Sequence, residues 1–313
     1  MGANQHYCAS DGFTLIELAI VLVIIGLVVG GVLVGQDLVR AAGVRATISQ
    51  IEKFNTAANT FYGKYGALPG DLNGRVANTF GFTPRGTGIS QGDGNGIIQG
   101  ASGYGFNEAT GETLMFWVDL TTANGLNVNM IEGSFSAATI SGSVVITNSS
   151  LGNYFPPAKL GRGNYIYVWS KSGPSGFTIP GLSGNYLGFS AVSGVPASTG
   201  GCNGCVVSNP SLTVQEAASI DAKVDDGLPQ SGNVLALYLN ASLASSSGDS
   251  WAAGGGTAGA SSANGPTTSA TPGSSTTCYD NGNVAGASQQ YSVEISNGSN
   301  VNCALSFKLQ AGD

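Results

Sequence analysis

The chain has 313 residues, of which 9% are charged and 42% hydrophobic, and its formal net charge is −7. So low a charge density with so much apolar material excludes a charge-rich disordered chain. The 11 Lys and Arg residues are spread thinly, which argues against a nucleic-acid-binding surface. The single histidine, His6, lies near the start. If the first twelve residues are removed, the remainder has no imidazole for nucleophile pairs, metal sites or acid–base chemistry.

In chain order, the first element is an apolar run. From Phe13 to Gln36 the only charge is Glu17, and the run from Leu18 to Gly35 is long enough to cross a bilayer as a helix. It is too long for the apolar core of a secretory signal. A lone carboxylate in such a run costs roughly 2.5–3.5 kcal/mol on insertion scales, and the segment is expected to offer it no partner. A cut after Gly12 would create an amine at Phe13, and that amine could neutralise Glu17 of a neighbouring copy.

The sequence Gly12-Phe13-Thr14-Leu15-Ile16-Glu17 followed by the apolar run resembles the prepilin signature of type IV pilins and type II secretion pseudopilins. The resemblance implies that residues 1–12 are a leader and that a prepilin peptidase cuts after Gly12. It further implies methylation of Phe13 and pairing of Glu17 with a neighbour's N-terminus in the filament. Unlike many family leaders, residues 1–12 contain no Lys or Arg, and position 34 is Val where many major pilins have a nearby Pro.

Beyond the membrane the pattern becomes amphipathic. Val44, Ile48, Ile51, Phe54, Ala58, Phe61 and Tyr65 recur at steps of three and four. No Pro interrupts residues 13–65, which predicts one helix roughly 75 Å long at 1.5 Å per residue. Residues 13–36 form its transmembrane half, and the amphipathic half packs on a head. Gly66-Ala-Leu-Pro-Gly-Asp71 ends the helix and is similar to the junction in pseudopilin-like proteins.

Residues 66–313 are expected to form that head. Residues 86–105 are rich in glycine. Gln91-Gly-Asp93-Gly-Asn95-Gly resembles a calcium loop but places Ile97 at the third ligand position, so a glycine-rich turn is expected. Asp93 and Asn95 remain candidate calcium ligands. Glu112 opens a helix expected to end at Gly125, with Leu114, Trp117 and Leu120 facing the core. Thr213-Val-Gln-Glu216 is a capping-box pattern for a helix running to about Asp225. Asp221, Asp225 and Asp226 at its exit form a second candidate cation group, set unfavourably against the helix dipole.

Strands are expected at 140–147, 164–169, 186–192, 234–239, 290–295 and 303–309. The last alternates Leu305, Phe307 and Leu309 with Ser306, Lys308 and Gln310. Residues 241–277, almost wholly Ser, Gly, Ala and Thr, read as a surface loop. The fold expected is α+β: a pilin-like lollipop whose long N-terminal helix packs on an antiparallel sheet.

Cys8 falls in the leader, which leaves Cys202, Cys205, Cys278 and Cys303. An even count in an exported head points to disulfides, with three pairings possible. Cys202–Cys205 and Cys278–Cys303 are the favoured pairs, and the latter resembles the C-terminal disulfide loops of pilins.

The expected function is therefore structural. It is a non-enzymatic subunit, anchored by a single pass in a bacterial inner membrane with an extracytoplasmic head, then assembled with other pilin or pseudopilin subunits. No cofactor is required, calcium aside, and no nucleic acid is expected as a partner. The alternative is the same anchor displaying an adhesin or substrate-binding head.

Overall fold

The computed structural model describes residues 13–86, 91–100, 109–123, 126–136, 145–171, 184–197, 204–240, 249–251, 277–280 and 287–311. By contacts the chain divides into two compact units, residues 1–43 and 44–313. Helix α1 runs from Leu15 to Tyr65, 51 residues. In the first unit every large apolar side chain from Phe13 to Val39 is exposed, at 49% to 87% of its surface. In the second unit the stripe dips into a core: Ile48, Ile51, Phe54, Ala58 and Phe61 are buried, and Val44 and Tyr65 pack at its margin. The helix stops at Gly66, whose positive φ of 72° suits a residue without a Cβ. Its N–H bonds the Tyr62 carbonyl at 2.8 Å.

A short helix that the sequence reading lacked, α2 (Gly74–Phe80), follows. Asn73 caps it by accepting from the Val76 amide, and Gly81 closes it in the left-handed region. Helix α3 (Gly111–Thr121) is buried at every residue. It stops at Thr121 and does not reach Gly125 as expected. The amides of Met130 and Asn129 bond the Leu120 and Thr121 carbonyls, and the next residues leave as β1 (Thr122–Ala123), paired with β2 (Leu126–Asn127). The intervening Asn124-Gly125 lies outside the described residues. As a sequence it favours a two-residue hairpin connection over a helix stop.

The main sheet is antiparallel. It contains β3 (Asn164–Ser170), β4 (Asn185–Gly194), β5 (Val207–Asn209), β7 (Val234–Leu235) and β13 (Leu305–Lys308). The order is β3-β4-β13-β7, with β5 also on β4. The chain is thus α+β, a long apolar N-terminal helix followed by an antiparallel sheet.

Expected strands 164–169 and 186–192 coincide with β3 and β4. The run 234–239 splits into β7 and β8 (Leu237–Leu239), because the Ala236 amide turns to the Pro229 carbonyl. The run 303–309 also splits. Cys303 ends β12 (Val301–Cys303), which pairs with β6 (Leu212–Thr213), whereas Leu305 begins β13. The run 290–295 yields β11 (Gln290–Tyr291), paired with β10 (Tyr279–Asp280), before a 3-10 turn at Ile295–Gly298. Of 140–147, residues 140–144 lie outside the described residues, and Ile146 makes an isolated bridge to Val195. Within the expected loop 241–277, residues 241–248 and 252–276 lie outside the described residues. Asp249–Trp251, however, form strand β9 against β8.

The alternation at 305–309 also has a different meaning from the one expected. Ser306 is as buried as its apolar neighbours, because this sheet is covered on both faces. Its hydroxyl accepts from the Trp169 indole and donates to the Leu237 carbonyl. A second polar set closes on itself. The Leu239 amide donates to the Tyr167 hydroxyl, which shares a hydrogen bond with Ser190. Ser190 donates to Ser208, and Ser208 returns to the Leu239 carbonyl. Such a closed ring leaves none of these buried groups unpaired.

Gly188 makes the ring possible. The Tyr167 side chain lies flat across it, and a Cβ at 188 would sit 2.2 Å from that ring. Gly188→Ala should therefore displace Tyr167 and its hydrogen bonds, lowering unfolding stability by about 2–3 kcal/mol. Denaturant unfolding of the wild type and variant measures this, and an unchanged midpoint would refute it.

Candidate assembly site and acidic clusters

The first site is the start of α1. Thr14 donates from its amide and its hydroxyl to Glu17 Oε2, both at 2.8 Å, and its hydroxyl accepts from the Glu17 amide at 3.3 Å. This is a capping box, and its Thr-x-x-Glu pattern was readable at 14–17. It corrects the expectation that the segment offers Glu17 no partner. The partner is a local pair of donors, not a cation. Gly12 lies outside the described residues, and Phe13 is exposed. The helix is long and apolar enough to cross a membrane, with none of its most apolar stretch buried.

The second site gathers carboxylates that the sequence reading kept apart. Asp71, Asp93 and Glu112 each present an oxygen within 4.8 Å of the others. Asp71 and Glu112 are buried, and their partners are the amides of the glycine-rich segment. Gly94 and Gly96 donate to Asp71, each at 2.7 Å, while Gly92 and Gln99 donate to Glu112 at 2.9 and 2.8 Å. Gly92 is required here: its φ is 83°, and a Cβ would meet the Leu72 carbonyl oxygen at 2.0 Å. Of the two candidate ligands read from the sequence, Asp93 joins the group. Asn95 instead donates to Asp93 at 3.0 Å and accepts from the Ile97 amide. Nothing in the local sequence marked Asp71 or Glu112, since tertiary folding alone brings them to the loop.

Burial pushes the Glu112 carboxyl up to about 8, with the nearby Asp71 charge adding to the effect. Burial pushes Asp71 up to about 6, against the lowering effect of the Gly96 and Gly94 amides. An oxygen-rich group of this kind is suited to a hard cation such as calcium.

Asp221, Asp225 and Asp226 are also together, but the loop after α4 (Val214–Val224) uses each of them. Asp221 accepts from the Tyr291 hydroxyl and the Gly227 amide. Asp225 accepts from the Asn233 and Val234 amides, and Asp226 from the Leu228 amide and Ser231 hydroxyl. These donors offset part of their unfavourable place at a helix exit. The expected capping box is present: Thr213 accepts from the Glu216 amide while Glu216 accepts from the Thr213 amide. Arg162 grips the same Glu216 carboxylate with both terminal nitrogens.

Two further features fix the head. Arg85 pairs with Asp119 with both side chains fully buried, and Asp119 also accepts from the Gly70 amide. Cys278 and Cys303 form a disulfide with Cα atoms 5.2 Å apart, the pairing expected. Cys205 is also disulfide-bonded, while Cys202 lies outside the described residues.

Comparison with known proteins gives one match. Residues 9–33 match the family model described as the prokaryotic N-terminal methylation motif. No curated protein and no solved structure matches the chain. The chain thus carries a prepilin-type N-terminal motif, consistent with a type IV pilin- or pseudopilin-like family of structural subunits.

The raised carboxyls set a pH dependence. Folded Glu112 and Asp71 hold protons that the unfolded chain has already released, so unfolding stability should fall as pH rises from about 5 to 8 in the presence of a chelator. Glu112→Gln should remove a large part of that slope between pH 6 and 8, the remainder coming from Asp221, which burial pushes up to about 7. Thermal unfolding across this range tests it, and a slope unchanged in the variant would contradict the assignment.

Proposed function

We propose that this chain is a structural subunit of a type IV pilus or type II secretion pseudopilus. On this reading a prepilin peptidase cuts after Gly12 and the new Phe13 amine is methylated. The chain waits in the inner membrane with residues 13–36 across the bilayer and its head outside the cytoplasm, then enters a filament. The observation that carries the reading is the coincidence of the methylation motif at residues 9–33 with a helix whose apolar half is exposed all round.

A helix apolar on every side is stable only in lipid or against other apolar helices. Glu17 adds direction to that preference. Thr14 satisfies one of its oxygens by hydrogen bonds but does not neutralise its charge. An N-terminal amine from a neighbouring copy would do so, so assembly relieves a cost that the isolated subunit retains. The role is structural and not enzymatic, in keeping with the motif's family. With the cut at Gly12, the only histidine is lost with the leader.

Glu17→Leu tests the pairing. The variant should still be processed and remain in the membrane fraction, because it is more apolar than the wild type. Its incorporation into sheared filaments should fall by about an order of magnitude. Quantitative immunoblotting of membrane and filament fractions reads both, and undiminished incorporation would reject the pairing role.

A further inference from the structure

The glycine-rich loop over the buried carboxylates contains an Asn-Gly pair, Asn95-Gly96, that the assembly role does not use. Such a pair carries a reaction of its own. The backbone nitrogen of the glycine can attack the side-chain carbonyl carbon of the asparagine and close a five-membered succinimide ring. Glycine favours this step because it brings no Cβ to crowd the attacking nitrogen. Three things hold the reaction back in an unfolded chain. The amide nitrogen keeps its proton, negative charge must develop on the carbonyl oxygen, and the two groups seldom meet.

The fold addresses each of these. Asp71 is buried, and its Oδ2 accepts from the Gly96 amide at 2.7 Å while the Gly94 amide holds its Oδ1 at 2.7 Å. A carboxylate in that place is within reach to take the Gly96 proton as a general base. The Ile97 amide donates to Asn95 Oδ1 at 2.7 Å, where charge would develop on attack, as an oxyanion-hole donor does. Asn95 Nδ2, the nitrogen that would leave, donates to Asp93 at 3.0 Å and to Gln99 at 3.3 Å. These contacts hold the carboxamide against the loop that carries the attacking nitrogen. Asn95 and Gly96 are both exposed, and no heavy atom lies within 4 Å of where a Gly96 Cβ would stand. The ring thus has room to close and water has access to it. Asn73-Gly74 lacks this arrangement. Its Asn73 Oδ1 is engaged by the Val76 amide as the cap of α2, and among the described residues no carboxylate accepts from the Gly74 amide.

We infer that Asn95-Gly96 is a self-deamidation site, at which the folded head converts Asn95 to an acid without an enzyme. The Gly96 amide proton passes to Asp71. The nitrogen forms its bond to Asn95 Cγ as the carbonyl electrons move to Oδ1. When that carbonyl re-forms, the Cγ–Nδ2 bond breaks, and Nδ2 leaves as ammonia with a proton that water relays from Asp71. A water molecule then opens the succinimide to an aspartate or isoaspartate at position 95, and nothing is oxidised or reduced. The product sets a further carboxylate beside Asp71 and Asp93 and removes both Nδ2 hydrogen bonds. In the isoaspartate form the backbone gains one carbon next to Gly96, which displaces the Gly96 amide relative to Asp71. Loss of ammonia makes the change one-way, so it marks the time since the head folded. The inference stands apart from the filament role.

The test uses the full-length chain, purified in detergent and held near neutral pH. Peptide mass spectrometry follows the mass gained when an amide becomes an acid. Conversion at Asn95 should run about tenfold faster than at Asn73, and about tenfold faster than at Asn95 itself in the same chain unfolded by guanidinium. Asp71→Asn removes the base and should slow Asn95 by a similar factor while Asn73 keeps its rate, with circular dichroism confirming that the variant is folded. If that variant unfolds, the comparison of native with guanidinium-unfolded chain decides alone. Conversion at Asn95 no faster in the native chain than in the unfolded one would show that the fold shields the pair, and overturns the inference. A folded Asp71→Asn chain that converts at the wild-type rate overturns it as well.

Discussion

The constraint on which the rest depends is the apolar surface of α1 before the head. Eighteen large apolar side chains from Phe13 to Val39 stand exposed around the whole circumference of the helix. At about 1.5–3 kcal/mol for each such side chain fully removed from water, this surface far exceeds in energy anything the chain could offset as a monomer in water. On the proposed reading, lipid covers it before assembly and other helices cover it afterwards. On that reading the single carboxylate in the surface makes the two states unequal, because lipid would leave Glu17 charged and a neighbouring amine would neutralise it.

The head solves the opposite problem. One stripe of the same helix, Ile48 to Phe61, has to stay buried so that the remaining faces are free for contact. Phe54 packs edge-on against Trp117 and Phe61 against Phe82, with ring centroids 5.1 and 5.4 Å apart. The chain before α3 is tied to it by the buried Arg85–Asp119 pair, where loss of either partner would leave an uncompensated charge. The C-terminal strands are fastened by Cys278–Cys303. Hydrogen bonds reinforce the helix seat: Gln50 donates to the Pro157 carbonyl, and Thr47 accepts from the Leu160 amide.

What was legible in the sequence followed from local physics. The stripe of α1, the Thr213/Glu216 capping box and strands β3 and β4 all carry their signal within a few residues, and each is present near where it was read. The Thr14/Glu17 capping box and the Asn73–Gly81 frame of α2 are equally local, but they lie inside an apolar run and beside glycine-rich turns whose signals are stronger. The other misses are tertiary. Asp71 and Glu112 are 41 positions apart, and only the fold brings them to one glycine loop. Ser306 reads as a solvent-facing strand residue until the second cover of the sheet is known. The run 234–239 reads as one strand because nothing in its composition announces that Ala236 will bond Pro229. The three aspartates after α4 show as acids by spacing alone, whereas the amides and hydroxyls that bond them, up to Tyr291, are invisible to it.

The central claim is that this chain is a processed filament subunit and not a permanently anchored one. Mass spectrometry of the N-terminal peptide from the native membrane or filament fraction tests it most directly. The account predicts a chain that begins at Phe13 and carries one methyl group on its amine. A chain still beginning at Met1, in cells whose prepilin peptidase is active, would contradict it.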